Sequence, residues 1–165
     1  MKLIIEHRKK MIPNFKIAEL VPPKVLTELG DNAILLFDTR LLLTIQAIRD
    51  NIKKPIYINR NGKFTQRGLR TPESEHFAET RSHALGQGVD FDVEGMSADS
   101  VRLHILTNID KYPYIKGIET GCNWVHVDVQ DRYLNQKEVL LFPMKGTIKH
   151  ESVDEYIKWL QQKIK

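Results

Sequence analysis

The sequence predicts an α+β domain whose largely antiparallel central sheet is flanked by helices. Three observations lead there. Helical and strand-like segments are mixed along the chain, the strand-like runs are short, and neighbouring runs are joined by turns. With 165 residues the chain has the usual size of one domain. Its apolar fraction of 41% suffices for a core and is too high for a disordered chain. One domain over 1–165 is therefore expected, with an N-terminal segment over 1–35, a core over 36–145 and a closing helix over 150–165.

Taken in order, Pro22-Pro23 breaks the N-terminal segment away from the rest of the chain. Leu41, Leu42, Ile45 and Ile48 stand at helical spacing, so a helix is expected over about 39–51 with Asp38 as its N-cap. Pro55 to Ile58 is a short β-rich run and reads as a strand. From 59 to 81 the chain is polar and carries Gly62, Gly68 and Pro72. A loop of that length in a small domain points to function. Gly88 to Val93 alternates as a strand does, and Gly95 ends it. Ser97 is a good N-cap and Asp99 a first-turn acid for a helix over about 98–109, with Val101, Ile105, Leu106 and Ile109 on its apolar face. Tyr114–Glu119 and Asn123–Val129 read as two strands around a turn at Thr120-Gly121. Val139–Phe142 is a further strand, stopped by Pro143. Val153, Tyr156, Ile157, Leu160 and Ile164 mark the closing helix. His7, His104 and His150 show no spacing pattern and read as surface residues.

Composition excludes several classes. Cys122 is the single cysteine, so no internal disulfide can form. No stretch approaches the ~18 apolar residues of a membrane span. The apolar run before Glu6 is too short for a signal-peptide core, so a cytoplasmic location at synthesis and no membrane partner are expected. The net charge of +4 reads as solubility, because no basic run is interleaved with aromatics. No nucleic-acid partner is expected.

The chemistry concentrates in two places. His83 ends the polar loop, and Asp90 sits inside an apolar strand, where an unpaired carboxylate is costly and a cation is one partner that offsets the cost. Strand alternation puts Trp124, His126 and Asp128 on one face and Val125, Val127 and Val129 on the other. If that face meets Asp90 and His83, two imidazoles and a carboxylate converge. That set, with an open fourth position, is one a catalytic zinc uses. The plainer readings are a loop histidine in a hydrogen bond for His83 and a satisfied, half-buried strand histidine for His126.

The stretch Arg81-Ser82-His83-Ala84-Leu85-Gly86-Gln87-Gly88-Val89-Asp90, with Trp124-Val125-His126 after it, resembles a family pattern. That pattern is Ser-x-His-x-x-Gly-x-Ala-x-Asp, with Trp-x-His further along, and it belongs to the zinc D-alanyl-D-alanine carboxypeptidases. Hedgehog signalling domains and phage endolysins share their fold. Gly68-Leu69-Arg70-Thr71-Pro72 is similar to the family's Gly-Tyr-Arg-Ser-Pro, and the opening Asn14-Phe15-Lys16-Ile17-Ala18-Glu19 looks like phage-encoded members. The resemblance implies one zinc per chain on His83, Asp90 and His126, a peptidoglycan peptide as substrate, and Arg70 as the holder of substrate or transition-state charge. It also implies holin-dependent or virion-associated access to the wall. Arg81 is then expected along the substrate groove, and Trp124 either packs in the core or forms a wall of that groove. Three positions depart from the pattern. Arg81 replaces its Ser, Gly88 replaces its Ala, and Asn123 stands where many members carry an acidic general base. Asn123 cannot take a proton, so Glu119, at the end of the preceding strand, is the first candidate for that role and Asp128 the second. Asp128 could equally orient an imidazole. Without a base, the chain would be a zinc-containing module that binds wall peptide or a protein.

Overall fold

The computed structural model describes residues 1–60, 65–133 and 136–164; Gly62 of the polar loop lies outside them. Ten regular elements succeed one another among them: α1 (Lys2–Met11), α2 (Pro23–Leu29), α3 (Thr39–Ile52), β1 (Ile56–Tyr57), β2 (Gly88–Val93), α4 (Ala98–Thr107), β3 (Gly117–Thr120), β4 (Val125–Asp128), β5 (Leu140–Pro143) and α5 (Val153–Lys163). Short 3-10 turns lie at Ile17–Glu19, Gly30–Leu36 and Ile109–Lys111. The α+β class, the central helix, the strand at 88–93 and the closing helix agree with expectation. Asp38 caps α3 by accepting from the Arg40 amide, and Ser97 caps α4 by accepting from that of Ser100. Helix α4 stops at Thr107, two residues short, and Ile109 falls in the 3-10 turn. Among the described residues no helix is long and apolar enough to cross a membrane.

The sheet corrects one expectation. Its strand order is β1-β2-β4-β3-β5, and it is mixed rather than largely antiparallel. β1, β2, β4 and β3 pair antiparallel in turn, but β5 pairs parallel to β3. The cause is the route of the chain. β3 and β4 form the expected hairpin, and the chain then returns past it to the open edge of β3 instead of adding to β4. Gly117 to Thr120 thereby stand opposite Leu140 to Pro143.

The N-terminal segment packs into the one core. Ile12, Leu20, Val21 and Ile34 are fully buried in the same cluster as Leu41, Leu42, Ile45 and Ile48 of α3. Arg8 on α1 donates to the carbonyls of Ile34 and Phe37 at 3.2 and 2.6 Å, tying α1 to the turn before α3. Pro23 opens α2 at its first helical turn, where a missing N–H costs nothing. His150 is a second correction, because it is not a surface residue. It is buried at 8% exposure, with its ring 4.6 Å from Tyr156 and 5.1 Å from Trp159 on α5. It sits just before the helix and packs back over the first two turns.

Candidate metal centre

Strand register builds the site. β2 and β4 pair so that Asp90 stands directly opposite His126, and residues opposed across two strands project to the same face. The alternation that buries Val89, Phe91, Val93, Val125 and Val127 on the core side sends Asp90 and His126 to the other. His83 arrives from the loop before β2. Gly86 makes this approach possible: its φ is +62°, and a Cβ there would lie 2.0 Å from the Leu36 carbonyl oxygen. Asp38, the cap of α3, donates its amide to Gly86 O at 2.9 Å and fixes the turn.

Three atoms meet. His83 Nε2 lies 3.2 Å from His126 Nδ1 and 3.3 Å from Asp90 Oδ1, and His126 Nδ1 lies 2.7 Å from Asp90 Oδ1. Each residue's other polar atom is held by a different partner. His83 Nδ1 donates to the Gly68 carbonyl at 2.8 Å. Asp90 Oδ2 accepts from Arg70 Nη2 at 2.9 Å. His126 Nε2 faces Asp128 Oδ2 at 3.3 Å, and Arg132 grips both oxygens of Asp128 at 3.0 and 2.6 Å. Each inward-facing atom is thereby aimed by a contact on its far side, the arrangement that orients metal ligands.

The electrostatics arise from this packing. Burial opposes ionisation of Asp90, but hydrogen bonds and charge from His126 and His83 outweigh it and hold the carboxyl well below the usual carboxylate range. Burial works against a charged His126, yet Asp128 and Asp90 carry its imidazole up to about 9. Asp128 is likewise opposed by burial and kept below its ordinary value by His126 and Arg132. The protein side alone thus holds a proton on His126 at neutral pH, between two carboxylates.

His83, Asp90 and His126 form a group that could hold a metal ion. The fit can be tested on the triangle of donor atoms. Ligands ~2.0–2.2 Å from a tetrahedral zinc stand about 3.3 Å or slightly more apart. Two of the three edges, 3.2 and 3.3 Å, match. The third, at 2.7 Å, is a hydrogen bond whose proton has to leave before both atoms can serve one cation. No family model, curated protein or solved structure matches the chain.

The triad opens on a cleft of about 780 Å³, and the remaining site residues stand around it. Arg70, Arg81, Trp124, Glu119 and Asp128 all line it, as does His76 of the polar loop. Glu73 of that loop instead pairs with Lys24. Arg70 is placed by donating from Nε to the Gln66 carbonyl, while the flanking backbone bonds Leu69 to Leu20 and Asp90 to Arg67. Asn123 is exposed and is not among the described residues lining the cleft. Asp128 is 1% exposed with both oxygens occupied.

Three features escape a reading of the sequence. Arg102 of α4 is fully buried. Its Nε donates to Glu119 O at 2.9 Å, Nη2 to Cys122 O at 2.8 Å and also to Trp124 O, and Nη1 to Asp99 at 2.9 Å. One side chain thus ties down the turn that carries Glu119 and Trp124. The available signal is its spacing, three and four residues before the buried Ile105 and Leu106. Arg132 gives no signal, because its distance from Asp128 in a non-helical stretch carries no pattern. The third is the contact between Ser82 and Gly88. A Cβ on Gly88 would meet Ser82 Oγ at 2.3 Å and Ser82 Cβ at 2.7 Å, so glycine at 88 is fitted to the side chain at 82.

Proposed function

We propose that the chain is a zinc-dependent peptidase that cleaves peptide bonds of peptidoglycan, as a phage endolysin does. The observation that carries the metal assignment is the convergence of His83 Nε2, Asp90 Oδ1 and His126 Nδ1, each with its opposite atom held by the protein. The wall-peptide substrate rests on the resemblance of the segments 81–90 and 124–126 to the zinc D-alanyl-D-alanine carboxypeptidases. Zinc held by the three residues supplies a Lewis acid for the scissile carbonyl.

The chain's own residues do the rest. Glu119 is the cleft carboxylate that ligates nothing in this arrangement, and its role is to take the proton of the attacking water and pass it to the leaving amine. Arg70 holds Asp90 in place through Nη2 and brings positive charge to the position where the anionic transition state develops. Asp128 keeps His126 oriented, a role its burial and its pairing with Arg132 support over that of a base. Trp124 forms a wall of the groove.

The test is release of new amino termini from purified peptidoglycan by wild type, Glu119→Gln and Asp128→Asn, each assayed for zinc. Activity in wild type, with loss of about 10²-fold or more in Glu119→Gln at unchanged zinc, is expected. Wild type without activity on every wall chemotype would leave a zinc-containing binding module.

A further inference from the structure

The β3–β4 hairpin is open toward its turn. Among the described residues its ladder pairs Gly117 with Asp128 and Ile118 with Val127, and goes no further. One more step in that register would set Glu119 opposite His126, on the face that carries the triad. Instead each strand is held from its outer side. Glu119 and Thr120 pair with Phe142 and Pro143 of β5, while Val125 and His126 pair with Phe91 and Asp90 of β2. Between Glu119 and His126 the two strands do not hold each other.

Arg102 of α4 bridges that opening and is fully buried there. Its Nε donates to the Glu119 carbonyl at 2.9 Å on the β3 arm, and Nη2 donates to the carbonyl of Trp124, which leads into β4. The same Nη2 reaches the Cys122 carbonyl at 2.8 Å inside the turn. A planar guanidinium is a rigid fork, so one side chain fixes the separation of both arms. Cys122 Sγ adds a second link, lying 2.9 Å from Nη2 and 3.8 Å from Glu119 Oε2. The guanidinium is held in turn. Nη1 donates to Asp99 Oδ1 at 2.9 Å, and Lys163 Nζ, at the end of α5, meets Asp99 Oδ2 at 2.7 Å. An apolar side chain of the same size would fill the space without the penalty of desolvating a charge. What arginine adds is the fixed spacing. Arg102 is not among the described residues that line the cleft, so it acts only through those it holds.

We infer that Arg102 is a positioning residue for hydrolysis. The width at which it holds the hairpin sets how far the Glu119 carboxylate stands from the triad, and Asp99, braced by Lys163, sets Arg102. This rests on the peptidase reading with Glu119 as base. Misplacing a reacting group by about 1 Å can lower a rate about 10²-fold. Loss of an ordinary core contact lowers the folded fraction and leaves the rate of the folded molecules alone.

Two variants test this. Arg102→Lys keeps the charge without the fork, and Asp99→Asn keeps the shape without the charge that grips it. With soluble peptidoglycan fragments and zinc-loaded protein, kcat should fall about 10–100-fold in Arg102→Lys and about threefold in Asp99→Asn, with KM and zinc content unchanged. Ile105→Val, a core change one turn along α4, should lower the melting temperature and leave kcat as in wild type. In zinc-free folded protein, Cys122 should react with a disulfide reagent about tenfold faster in Arg102→Lys, and no faster in Ile105→Val, because the turn that buries the thiol is loosened. If Arg102→Lys does not fold, Asp99→Asn decides by the same measurements. Full kcat, an equal fall of kcat in Ile105→Val, or unchanged Cys122 reactivity overturns the inference and leaves the peptidase reading standing. Full activity of Glu119→Gln overturns the base assignment and the inference with it. No hydrolysis by wild type overturns the peptidase reading as well.

Discussion

Alanine at position 88, the residue of the family pattern, should damage this chain. The Cβ it adds would stand 2.3 Å from Ser82 Oγ, 2.7 Å from Ser82 Cβ and 3.3 Å from His126 Cε1. Rotation of Ser82 can move the hydroxyl away. It cannot move Cβ, so the backbone beside His83 must shift by several tenths of an ångström. Overpacking of that kind costs about 1–3 kcal/mol. The same push reaches the ring of His126, so zinc affinity should fall roughly tenfold, as when an outer contact of a ligand is lost. Urea unfolding of zinc-free Gly88→Ala reads the first quantity, and zinc competition with a chelating dye reads the second. Ser82→Gly removes both clashing atoms. In the double variant the cost of Gly88→Ala should therefore shrink by at least about 1 kcal/mol, a coupling well above the error of a double-mutant cycle. If Gly88→Ala alone keeps full stability and zinc affinity, or if the two changes simply add, Ser82 and Gly88 are not a fitted pair.

Other contacts carry their own tests. Arg102→Met should lose about 3–5 kcal/mol in urea unfolding, because the Glu119 and Cys122 carbonyls lose the guanidinium that serves them, while the Trp124 carbonyl keeps only the Cys122 thiol and Asp99 only Lys163. Cys122 is buried and its thiol is pushed up to about 11, chiefly by burial, so it should resist a disulfide reagent at about pH 8 until denaturant is added. A folded-state pKa raised above the unfolded one stabilises below the unfolded value and loses that contribution as pH rises through the folded value; stability should therefore decline between about pH 8.5 and 11. The His126 imidazole, raised to about 9, obeys the same sign, so zinc-free protein should lose stability as pH rises from about 6.5 to 9. For the same reason zinc binding at about pH 7 should release a proton, measured from calorimetric heats in buffers of different ionisation enthalpy, and release should vanish well above pH 9. Asp128→Asn should weaken zinc binding about 10–100-fold while leaving the fold intact.

What the sequence disclosed was mostly what period and chemistry encode locally. The 3.6-residue stripe of α3 and the alternation of β2 and β4 placed Asp90 and His126 on faces, and the hairpin around Gly121 brought β3 beside β4. Convergence with His83 needed only the two strands to be neighbours, and they are. The parallel pairing of β5 was hidden, because a strand's partner depends on where the chain returns and not on its own residues. The N-terminal helices were hidden for another reason. Ile12, Leu20 and Val21 are scattered among Pro13, Pro22 and charged residues, so no periodic face announces how deeply they pack. His150 looked idle because its partners, Tyr156 and Trp159, lie one and two turns into the next helix. Arg102 shows the limit most clearly. A buried arginine on an apolar face becomes intelligible only once the carbonyls it serves are folded against it.

The central claim is that His83, Asp90 and His126 share one metal ion. Elemental analysis of purified wild type, His83→Ala, Asp90→Ala and His126→Ala, each loaded with zinc and desalted, tests it most directly. One zinc per chain in wild type and none retained in any variant that still folds by circular dichroism is the result this geometry predicts. Stoichiometric zinc in the variants, or none in wild type, would contradict it.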